Sequence, residues 1–252
     1  MSELTGAAPA WHRVRSQASF ETRLILRNGE QLLVTLILPV LLLIGLAQVS
    51  MIKLDTAGAT RIDYVTPGIL ALAVMSTAFT SQAITTSFDR RNGVLRLLAT
   101  TPLGRGGLLA GKVLAVLTVE AVQVVVIGGV ALLLGWAPPV AGLAPALAAI
   151  VLGTAAFTSL ALLLAGTLRS EAVLAVANLL LVLLTVAGGA VVPATELPGA
   201  LATVAPLLPS GALGDALRGA LLDSALPLGA AIVLAAWTIA LAISAGKLFR
   251  WS

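Results

Sequence analysis

The sequence predicts an all-α polytopic membrane protein, and three observations carry that prediction. Of its 252 residues, 59% are hydrophobic and only 10% charged, whereas globular domains carry about 25% charged residues. Mean hydropathy is +1.05. Apolar stretches near the roughly 20 residues that cross hydrocarbon as helix recur six times, near 31–52, 64–87, 112–134, 143–167, 172–192 and 227–246.

Residues 1–30 precede these stretches. Arg13, Arg15, Arg23 and Arg27 interleave with Trp11, Val14, Phe20, Leu24 and Ile25, a spacing that lets an amphipathic helix lie in the headgroup plane with its bases snorkelling. A solvated tail is the other reading. Asn28-Gly29 breaks the helix before the first apolar run. That run starts late, is about 22 residues long and lacks a clear small-x-small cleavage site, so a retained span is expected rather than a cleaved leader.

The basic residues orient the spans. Of 15 Lys and Arg, 12 fall on one side: four in the N-terminal segment, five in the 88–112 loop (Arg90, Arg91, Arg96, Arg105, Lys112), Arg169, Lys247 and Arg250. Lys53, Arg61 and Arg218 are left for the other. The positive-inside rule therefore puts both termini and the 88–112 loop in the cytoplasm, which demands an even number of crossings. The pI near 10.3 thus reflects topology, and nucleic acid is not an expected partner. The whole chain, 1–252, is expected to form one transmembrane unit.

On the outer side, 53–63 and Gly135-Trp136-Ala137-Pro138-Pro139 read as short loops. The segment 193–226 is longer. Pro193, Pro198, Pro206 and Pro209 divide it into apolar pieces of about ten residues, too short to cross and expected as re-entrant or interfacial helices before the last span. Asp215 and Arg218 stand one turn apart and can pair, either anchoring a surface helix or taking part in gating.

The longest polar interruption is Phe88-Asp89-Arg90-Arg91-Asn92-Gly93-Val94-Leu95-Arg96-Leu97-Leu98-Ala99-Thr100-Thr101-Pro102-Leu103-Gly104-Arg105, closing at Gly111-Lys112. As helix, it presents a cationic flank beside an aliphatic one. Thr101 is placed to N-cap a second short helix with Pro102 at its first position. The pattern Arg90-Arg91-x-Gly93-Val94-Leu95-Arg96-x-Leu98-x-x-Thr101-Pro102-Leu103, with Gly111-Lys112, resembles the cytoplasmic coupling loop of the ABC transporter type 2 permeases, particularly their drug- and lipid-exporting branch. The segment 188–218 is similar to the outer half-helix pair of that family. Asn92 departs from the pattern, since many members carry glutamate there. The polysaccharide-exporting branch often has an acid at the place of Arg96.

The resemblance implies one permease subunit of an ABC exporter in the bacterial inner membrane, paired with a second permease and docked on two ATPase subunits. It also implies a drug- or lipid-like cargo moved outward. ATP and Mg²⁺ are then expected in the partner chains, with no cofactor here. Leu95, Leu98 and Leu103 would supply apolar contact to the ATPase, and Arg90, Arg91, Arg96 and Arg105 charge complementarity. Polysaccharide, sodium or haem export, a non-transporting scaffold and an ion channel stay open as alternatives.

Catalytic chemistry is not visible. Gly106-Gly107-Leu108-Leu109-Ala110-Gly111-Lys112 fits the phosphate-loop spacing, but Val113 stands where a Mg²⁺-binding hydroxyl belongs, and an apolar span follows. There is no Cys, and His12 is the single His, so thiolate, triad and histidine metal sites are not expected. Glu120, with Gln123 one turn on, is the one carboxylate inside a span. It lies eight residues, or about 12 Å, beyond Lys112, a depth at which an ionisable group faces a partner, a cavity or a translocation path. Glu120, Gln123 and Asn178 are the candidates for that path; helix packing of Glu120 near Asn178 or Gln48 is the alternative.

Overall fold

In a computed structural model, the described residues, 8–48 and 60–249, are almost wholly helical, with no strand among them. Helix α1 spans Ala10–Arg27. α2 covers 29–48 and contains a π turn at Leu33–Ile37. α3 runs Arg61–Arg91 with a second π turn at Met75–Ser81. α4 is Val94–Ala99, α5 Gly104–Leu133, α6 Leu143–Thr167 and α7 Ser170–Val186. α8 is Ala200–Leu207, α9 Pro209–Asp223 and α10 Leu228–Leu248.

Four helices among the described residues are long and apolar enough to cross a membrane: Arg61–Arg91, Gly106–Leu133, Val140–Thr167 and Leu228–Leu248. The pair α8/α9, bent by 80°, is either a fifth, broken span or a re-entrant loop. The apolar helices Leu33–Gln48 and Ser170–Val186 are shorter. Residues 49–52 of the first expected stretch, the outer loop expected at 53–63 as far as Ala59, with Lys53 in it, and Arg250 lie outside the described residues.

The fold is built around α3, whose apolar window is 89% buried. Helices α2, α5, α6, α7 and α9 all pack on it. It starts earlier than residue 64 because Thr60 caps it: the Thr60 Oγ1 accepts from the Asp63 N–H at 3.4 Å, and the Asp63 carboxylate accepts from the Ala137 N–H at 3.3 Å. That second bond ties the start of α3 to the turn after α5. Phe79 on α3 meets Phe157 on α6 with ring centroids 6.2 Å apart, a tilted pairing near the middle of the apolar core.

α1 packs along the start of α5, burying Ala18, Glu21 and Ile25 and leaving Trp11, Phe20 and Leu24 exposed. One expectation changes at the elements' ends. Thr101 and Pro102 do not open a second short helix. The Thr101 hydroxyl donates back to the Leu98 carbonyl at 2.6 Å, finishing α4, and the next helix begins at Gly104 and continues 30 residues as α5. The amide of Gly104 bonds to the Thr101 backbone carbonyl at 3.2 Å, and Leu103 stands at the N-cap of α5 with no side-chain cap.

Candidate functional site

The 88–112 loop is held by three sets of contacts. The first pins its entrance. α3 ends in Phe88-Asp89-Arg90-Arg91, and Gly93 follows in the left-handed region at φ 74° with open space around it, so the backbone angle rather than crowding requires glycine. The Arg90 guanidinium donates to the Leu168 carbonyl at 2.5 Å. Arg91 pairs with Glu171 at 2.5 Å and stacks over the Phe88 ring at 4.7 Å. The Ser170 hydroxyl donates to the Ser87 carbonyl at 2.9 Å. The turn between α6 and α7 is thereby fastened to the end of α3.

The second set joins α1, the loop and α5. Lys112 on α5 donates to Asp89 at 2.8 Å and Glu21 at 3.0 Å, with the Lys112 and Glu21 side chains only 3% and 7% exposed. Gln17 donates to the same Glu21 oxygen at 3.0 Å. A Cβ on Gly111 would lie 2.8 Å from the Gln17 Cγ, so the missing side chain lets α1 seat against α5. The Arg13 guanidinium donates to the Pro102 carbonyl. The phosphate-loop spacing at 106–112 belongs to the first turns of α5: Gly111 is a helix contact and Lys112 an ion-pair donor.

The third set decides what the loop exposes. α4 buries Leu95 to 1%, against the expectation that it contacts a partner, because the short helix turns that residue onto its neighbours α3 and α5. Leu98 and Leu103 are half-buried, whereas Leu97 is 68% exposed, Val94 37% exposed, and Arg96 exposed beside them. Thr101 is half-buried and Pro102 exposed, and the Arg105 backbone lies in the first turn of α5.

The expected path residues do not gather at one place. Glu120, 1% exposed, is packed against α6, where the Thr154 hydroxyl lies 2.6 Å from its carboxylate. Gln123 donates to the Thr35 carbonyl at 2.5 Å and the Thr77 hydroxyl at 2.8 Å, joining α5 to the π turns of α2 and α3. Asn178 lies apart on exposed α7, donating to Leu174 O at 2.8 Å. It lines a cavity of about 250 Å³ with Gln31, Thr35, Ser76, Thr80 and Ser81. Sequence reasoning missed these residues; the available signal was the density of hydroxyls in 76–87, unusual for an apolar span.

At the other end, Arg218 is 7% exposed and pairs with Asp215 at 3.0 Å, as their spacing predicts. Beyond that pair, its guanidinium donates to the carbonyls of Ala190 at 2.6 Å, Val191 at 3.1 Å and Gly189 at 3.3 Å. Gly68 of α3 admits the same loop, since a Cβ there would lie 3.0 Å from the Val191 Cα. Pro193 and Pro198 bracket the short turn Ala194–Glu196, and Pro209 opens α9, where its fixed φ suits a first helical residue.

A family model described as ABC-2 type transporter matches residues 14–222. No curated protein matches the sequence.

Proposed function

This chain belongs to the ABC-2 type transporter family and is a multi-pass membrane permease subunit of an ABC transporter, and from that premise we propose that it exports an amphipathic, drug- or lipid-like cargo, driven through the 88–112 loop by separate ATPase chains. ATP and Mg²⁺ act in those chains, two per complex, and a second permease completes the path. Six crossings, with Leu33–Gln48 and Ser170–Val186 counted among them, leave both termini in the cytoplasm of a bacterial cell.

The observation that carries this reading is the buried junction at Lys112, where α1, the end of α3 and the start of α5 share one cation. ATPase closure would press on Val94, Arg96 and Leu97, the exposed residues of α4. The loop is fastened to α1 and to the 168–171 turn, so the displacement would move α3, α5 and α7 as one body. The outer contacts of Arg218 with 189–191 would then have to yield for cargo to leave. Co-purification with a co-expressed ATPase tests the docking step: Arg96→Glu and Leu97→Asp are expected to abolish it while leaving the subunit folded. Retention of full ATPase binding and stimulation by both variants would overturn the assignment.

A further inference from the structure

Helices α2, α3 and α7 line the open cavity of about 250 Å³ on the same side as the 88–112 loop. Ser81 is nine residues before Arg90, about 13 Å of helix, and Asn178 is seven after Glu171, about 10 Å. The pairing of Arg91 with Glu171 brings those two reference points together. On the topology proposed above, the cavity therefore sits at the level of the inner leaflet.

Its chemistry is specific. Gln31, Thr35, Ser76, Thr80, Ser81 and Asn178 contribute hydroxyls and amides, and none of the described lining residues is ionisable. Among those described residues a phosphate would find no cation and an ammonium no carboxylate, a heavy cost where water is scarce. Hydroxyls and amides both donate and accept, which matches a ligand rich in hydroxyls. Thr80 is 5% exposed and its Oγ1 has no hydrogen-bond partner, a deficit that a ligand hydroxyl would remove. Thr35, Ser76, Thr80 and Ser81 all belong to π turns, a distortion that concentrates at functional sites. Gln31 donates to Ser81, joining the two walls.

Size and rim narrow the class further. The volume lies below the roughly 300–1,000 Å³ of sites that enclose drug-sized ligands, and the cavity is open on one side, so it suits a headgroup whose remainder stays outside. Val34, Ile84 and Leu174 supply an apolar border for a tail. We infer that this cavity binds the uncharged, polyhydroxylated headgroup of an amphiphile, such as a glycosyl or polyol lipid, while its chain stays in the bilayer. The inference rests on the permease reading and replaces its drug-or-lipid cargo with one chemical class.

The test uses the full chain in phospholipid nanodiscs with two photoreactive probes of identical acyl chains, a glucosyl-diacylglycerol and a phosphatidylglycerol. Cross-linked peptides from 29–35, 76–85 or 174–178 are expected with the glucosyl probe at about five-fold the phosphatidylglycerol yield. Thr80→Val, which keeps the shape, and Asn178→Leu, on an exposed face, are each expected to lower that yield by about five-fold, the scale of one hydrogen bond. Equal labelling by the two probes, preference for the anionic one, or yields unchanged in both variants would overturn the inference. Competition by free methyl glucoside would assign recognition to the sugar alone, and failure to compete to its lipid-linked form; both support the neutral hydroxylated class. ATPase co-purification is measured in parallel: lost labelling preference with docking intact counts against the cavity, and lost docking with labelling intact counts against the permease coupling scheme.

Discussion

Lys112 is shared by two carboxylates that come from segments 91 and 23 residues away, and its neighbours decide its worth. Removing one member of a buried ion group leaves the others uncompensated, typically at roughly 3–5 kcal/mol. Lys112→Met is therefore expected to lower the unfolding free energy by about that amount, read by denaturant titration in detergent, while Arg91→Met, removing a half-exposed pair, should leave it nearly unchanged. Gly93→Ala meets no atom but must hold φ 74°, which costs about 1–2 kcal/mol. It should weaken ATPase stimulation without unfolding the subunit, as measured by turnover and melting together. From sequence, Lys112 was legible as the end of a decoy motif and as a marker of the membrane boundary. Its partner Glu21 was not, because nothing local reveals that α1 folds back onto α5.

At the scale of elements, hydropathy located the apolar helices well because lipid demands long apolar runs whatever their partners. Boundaries set by a side chain were less legible. Thr101-Pro102 has the local signature of a helix start, yet the hydroxyl closes the helix before it. The apolar stripe of α4 was visible, but which leucine it buries depends on where α3 and α5 lie; Leu95 turns inward and Leu97 outward. Leu97→Asp is therefore expected to disrupt ATPase binding and Leu95→Asp to destabilise the subunit itself, a difference separable by comparing yield of folded permease with yield of complex. Gly111→Leu should displace α1 from α5, since its first added carbon already meets Gln17. Limited proteolysis between residues 28 and 32 is expected to quicken in that variant.

The molecule as a whole is a helical bundle with α3 at its centre, a polar and ionic collar at the loop end and a backbone clamp around Arg218 at the other. The collar was legible as a charge count and a loop pattern. The cavity beneath it was not, because Gln31, Ser76 and Asn178 are scattered over three segments and only folding brings them to one gap. The central claim is that the collar faces the cytosol and receives force from another chain. The chain contains no cysteine, so a single Leu97→Cys substitution reports that position without background. A membrane-impermeant maleimide is expected to label it only after cells are permeabilised, and a bound ATPase is expected to protect it. Labelling in intact cells, or equal labelling with and without the ATPase, would contradict the account.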